Sequence, residues 1–128
     1  MGAILLGLIA GPVCVWSVEK LKPMIGLDDA FDVFGVHGVA GILGGLLTPV
    51  FALTAIGGQG FPEGRTLFDQ LLVNGGAILF SILFSGITSL IAFKVAATLC
   101  GGLRVGEEAE VDGLDLSAHG EVGYKYSN

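Results

Sequence analysis

Between Asp32 and Glu63 the chain has no Asp, Glu, Lys or Arg, and its one titratable side chain there is His37. The stretch over residues 28–52, DDAFDVFGVHGVAGILGGLLTPVFA, opens on acidic residues and then turns apolar and glycine-rich. A bilayer crossing takes roughly 20 mainly apolar residues, which this stretch supplies. An ionisable side chain inside such a span is costly, so His37 is a functional-site candidate from the outset.

The rest of the chain agrees with a membrane setting. Charged residues are 14% of the chain and hydrophobic residues 52%, whereas soluble domains carry about 25% charged residues. The expected fold class is an all-α membrane protein with three transmembrane helices and an acidic C-terminal tail. A length of 128 residues ordinarily means one domain. The net charge of -6 speaks against nucleic-acid binding, which favours basic patches. Cys14 and Cys100 stand far apart in apolar surroundings, with no histidine at ligand spacing. They read as small apolar residues, with neither a disulfide nor a metal role.

Taken in order, residues 2–18 form the first apolar run. No basic segment precedes it, which counts against a signal peptide, and Trp16 suits an interfacial anchor. Residues 19–27 form a polar connector in which Pro23 prevents simple continuation of the helix. Asp28, Asp29 and Asp32 stand where a second helix begins, where carboxylates can accept from free N–H groups and favour the positive end of the dipole.

The second span covers about residues 32–53. At ~100° per residue, Val33, His37, Gly41, Gly44 and Thr48 share a face, with Leu43, Leu46, Val39 and Val50 roughly opposite. Two readings of that face stay open: a packing surface with a buried histidine, or the wall of a narrow conduit. Pro49 is expected to loosen the backbone bonding of the last turns.

Residues 54–66 form a glycine-rich loop. The third span covers about residues 66–103, with Asn74, Ser81, Ser85 and Thr88 on one face. That spacing predicts helix packing and interhelical hydrogen bonds. Gly101 and Gly102 mark its stop. The transmembrane region is thus expected over residues 1–103 and a hydrophilic tail over 104–128. Lys20 and Lys22 follow the first span, and Lys94 and Arg104 flank the end of the third. The positive-inside rule makes that shared side cytoplasmic and leaves Arg65 on the other.

Residues 28–52 resemble the tenth transmembrane helix of the Amt/Mep/Rh ammonium transporters. AGPVCVWSVEKLK (10–22) is similar to the end of the ninth, GFPEGRTLFDQLLVN (60–74) to the entry of the eleventh, and GLRVGEEAEVDGLDLSAHGE (102–121) to the cytoplasmic tail of the Amt branch. The resemblance implies a homotrimer in the cell (inner) membrane whose subunits each pass ammonia, stripped of its proton, along an apolar channel. It is not an enzyme and uses no cofactor, and ammonium, membrane lipid and, on the cytoplasmic side, a trimeric signal protein of the PII type are its partners.

Two histidines face one another in that channel, and His37, in FGVHG, matches the second. A neutral imidazole donates from one nitrogen and accepts on the other, so a pair can relay a proton or hold ammonia. Val33 matches a pore-lining apolar position. Asp29 matches an acidic position that shapes the cytoplasmic start of the helix. Gly113, Asp115, Ser117, His119 and Gly120 fall in the regulatory tail motif. Ser117 aligns with a threonine phosphorylated in plant members, where a phosphate would add charge beside Asp115; the other reading makes it a turn residue.

The family has about eleven spans, and the first pore histidine and the outer recruitment site belong to earlier helices. The tail residue His119 cannot replace that histidine. The chain is therefore expected to be the C-terminal portion of a transporter and not to conduct by itself. The alternative is a free-standing small membrane protein that modulates full-length transporters.

Overall fold

The computed structural model describes residues 2–123, and the far end of the expected tail, Lys125 included, lies outside the described residues. Three long helices account for most of the described chain: α1 (Gly2–Met24), α2 (Phe34–Phe51) and α3 (Leu67–Cys100). Each is long and apolar enough to cross a membrane. A short helix, α4 (Glu107–Asp112), comes next in the tail, and no strand occurs among the described residues. The all-α class with three candidate spans is as expected.

The helix ends differ from expectation in ways local chemistry explains. α1 runs past residue 18, through a π-turn at Ser17–Leu21 in which the Lys22 N–H reaches back to the Ser17 carbonyl. A last α turn, Lys22–Met24, then starts afresh, so Pro23 sits in a first turn, where its missing N–H breaks little. The helix stops at Gly26 (φ 64°). The Gly26 N–H donates to the Pro23 carbonyl at 3.2 Å and the Leu27 N–H to the Lys22 carbonyl at 3.1 Å. This paired closure satisfies carbonyls that the helix end would otherwise leave open. α3 starts on a reciprocal cap: the Thr66 N–H and hydroxyl donate to the Asp69 carboxylate at 2.8 and 2.6 Å, and the Asp69 N–H returns a bond to Thr66 Oγ1 at 3.2 Å. It ends at Cys100, just before Gly101 (φ 74°).

The chain divides into two compact units, residues 1–83 and 84–128, with the division inside α3 and not at the foot of the acidic tail. In the first unit α1 and α2 are antiparallel. Gly2 meets Phe51 at one end, while Ser17 and Val18 meet Gly35 at the other. A Cβ on Gly35 would lie 2.9 Å from Val18 Cγ2 and 3.3 Å from Ser17 Oγ, so the missing side chain is what lets the helices approach. Gly45 of α2 meets the tip of Ile78 on α3 in the same way.

The loop after α2 folds back on the helix end. The Gly60 N–H donates to the Ala52 carbonyl at 2.7 Å and the Gly58 N–H to the Leu53 carbonyl at 2.9 Å. A Cβ on Gly58 would fall 2.2 Å from the Ala52 carbonyl carbon, so glycine is required there.

In the second unit, the tail folds as α4, a break at Gly113 (φ 89°), a π-turn at Asp115–His119 and a left-handed stop at Gly120 (φ 65°).

No described hydrophobic side chain is fully buried; the fully buried ones are Pro49 and Ser17. Apolar surface left in water forgoes about 25 cal/mol per Å². The outward-facing residues of α3, such as Phe80, Phe84 and Ile87, therefore call for lipid or more protein around them.

Candidate functional site

The site is built at the entry of α2. The Asp29 carboxylate accepts from the Phe34 N–H at 2.7 Å and the Val33 N–H at 3.0 Å, filling donors that a helix start leaves open. The Phe34 N–H above all, then that of Val33 and the Lys22 ammonium, hold the Asp29 carboxyl below its ordinary value of 3.8 against a partial loss of solvent. Lys22, from the end of α1, donates to the Asp29 carbonyl at 3.1 Å and pairs with the Asp32 carboxylate. Asp32 itself has φ 57°, the one positive value among the described non-glycine residues. Aspartate is among the few side chains that tolerate this region. One lysine thus ties the end of α1 to the turn that launches α2.

His37 lies on a π-turn, Phe34–Val39, the first stretch of α2. Such turns are wider than α turns, uncommon, and frequent at functional sites. The imidazole is exposed, and no hydrogen bond joins it to another described residue. Val33, just before the π-turn, is 52% exposed. Both candidate pore residues are therefore open on the surface of this chain.

The π-turn also redistributes the face expected from a uniform 100° step. Gly41 lines a groove of about 440 Å³ between α2 and α3, with Gly38, Gly45, Asn74, Ala77 and Ser81, and His37 is not among its lining residues. The wider turn rotates the residues before Ala40 relative to those after it. A periodic count carries no signal of it beyond the two glycines of FGVHG, which weaken a regular helix.

Of the polar face expected on α3, Asn74 makes the interhelical bond. Its Nδ2 donates to the Gly45 carbonyl at 2.7 Å, while Gln70 Nε2 donates to Asn74 Oδ1 at 3.1 Å. Ser81 donates to the Ala77 carbonyl of its own helix at 2.8 Å. At the α1–α2 crossing the Ser17 hydroxyl is buried without a partner, at a cost of about 1–3 kcal/mol.

In the tail, the Ser117 hydroxyl donates to the Gly113 carbonyl at 2.9 Å, and the Glu121 N–H donates to the Asp115 carbonyl at 2.8 Å. Asp115, Ser117 and His119 are all exposed. Among the described residues no three His, Cys, Asp or Glu side chains come together as a metal would require. Cys14 and Cys100 are free.

Apolar spans without a core of their own, and one histidine open on the middle span, define a multi-pass membrane protein. The sequence model of the Ammonium Transporter Family matches residues 1–124, and the chain belongs to that family. It is 42% identical to the ammonium transporter of Aquifex aeolicus over 97% of this chain and 29% of that protein. It is 36% identical to the ammonium transporter of Bacillus subtilis over 98% of this chain and 31% of that protein. With ammonium transporter Amt2 of Methanocaldococcus jannaschii the identity is 40%, over 93% of this chain and 26% of that protein. The chain thus spans under a third of the length of the curated relatives it matches.

Proposed function

We propose that this chain serves as the C-terminal part of a longer ammonium transporter in which His37 is one of two facing pore histidines. The observation that carries the reading is the exposed imidazole of His37, without a bonding partner among the described residues, on a span with no formal charge. A second imidazole brought against it from another span would give both rings a partner in a dry channel. Ammonium entering from outside would lose its proton, ammonia would pass between the rings, and the two imidazoles would relay the proton by donating from one nitrogen and accepting on the other. Val33 would line the apolar wall beside them. Asp29 and Asp32 would hold the entry of the helix in place.

The assembly would be a homotrimer in the cell membrane, with the tail on the cytoplasmic side. Lys20, Lys22, Lys94 and Arg104 on one side and Arg65 alone on the other support that orientation. The tail, with Gly113, Asp115, Ser117, His119 and Gly120, would be the regulatory segment and the place where a PII-type signal protein acts.

The test is ammonium-driven current in proteoliposomes holding the full gene product that carries this chain. His37→Leu, which cannot relay a proton, is expected to lose the current or its discrimination against other monovalent cations. Current and selectivity unchanged by this substitution would remove His37 from the pore.

A further inference from the structure

Pro49 stands fully buried within α2. Proline has no N–H, so the carbonyl four residues earlier loses the donor a regular helix would give it. That carbonyl belongs to Gly45. The Asn74 amide of α3 donates to this same oxygen at 2.7 Å. Gln70, one turn before Asn74, donates to Asn74 Oδ1 at 3.1 Å and so sets which end of the amide faces Gly45. Gly45 also lacks a side chain at the point where Ile78 of α3 approaches, which leaves its carbonyl within reach.

We propose that Asn74 is a positioning residue that replaces the N–H missing at Pro49, clamping the helix that carries His37 to α3 at its proline break. In an apolar setting a freed carbonyl must find a donor from a neighbouring helix. Asn74 supplies it and fixes the two helices in register, with Gln70 as the orienting group. The clamp holds α2 in place whatever the chain transports.

A thermodynamic cycle on the full gene product in lipid nanodiscs tests it, with the unfolding equilibrium measured for Asn74→Ala, Pro49→Ala and the double variant. Asn74→Ala is expected to shift the equilibrium about threefold or more towards unfolding, the scale of an interhelical hydrogen bond in membranes. In the Pro49→Ala background, where residue 49 regains an N–H, the same substitution is expected to cost little. An equal cost in both backgrounds would overturn the proposal. Should Asn74→Ala fail to fold, the unsubstituted protein decides. Solid-state NMR with ¹⁵N in the Asn74 side chain and ¹³C in the Gly45 carbonyl is expected to show a direct dipolar contact, and its absence would overturn the proposal.

Discussion

Asp29 shows how one side chain can make a helix start pH-sensitive. Its folded pKa lies below the ordinary value of 3.8 because the Phe34 N–H, then the Val33 N–H and Lys22, favour the carboxylate. A group depressed in this way contributes stability above its unfolded value and loses it as pH falls through the folded one. Thermal unfolding in detergent is therefore expected to show stability dropping faster below about pH 4 in the native chain than in Asp29→Asn. Equal slopes would mean that Asp29 is no better bonded when folded. The placing of acidic residues at this helix start was legible in the sequence. The pairing of Lys22 with Asp32 was not, because a lysine there is equally at home as a basic residue on the cytoplasmic flank. The positive φ at Asp32 has no sequence signature at all.

At the scale of helices, glycine has different consequences at different contacts. Gly35→Ala would press a Cβ against Val18 Cγ2 at 2.9 Å, with Ser17 Oγ and the Val18 nitrogen close behind. We expect a loss of about 1–3 kcal/mol, typical of overpacking, read from thermal unfolding in detergent. Gly45→Ala meets only the far end of Ile78, which can rotate, and alanine gains up to about 1 kcal/mol of helix propensity over glycine. That variant is expected to be near neutral by the same measurement, and a cost matching that of Gly35→Ala would mean that Ile78 cannot move. The three spans were legible because charge is absent from them, and the Asn74 face because small polar residues recur at helical spacing. The π-turns were not, since a periodic count assumes the very pitch they break. The acceptor for Asn74 could have been sought four residues before Pro49, where proline leaves a carbonyl open.

For the whole molecule, the lack of any fully buried hydrophobic side chain among the described residues leaves the spans dependent on lipid or on more protein. Liposomes holding only this 13.1 kDa chain are expected to carry no ammonium current, because one histidine cannot relay to itself. A current from them would contradict the need for a second span bearing a histidine. The π-turn at Phe34–Val39 carries a consequence for how this segment can vary in length. It holds one residue more than an α turn would. Deleting that residue would give a tidier helix, yet it would turn Ala40–Phe51 by about 100° about its axis and draw it back by about 1.5 Å. The Gly45 carbonyl would swing away from Asn74. Substitutions in FGVHGV can be absorbed one side chain at a time, but an insertion or deletion there would undo the seam between two helices.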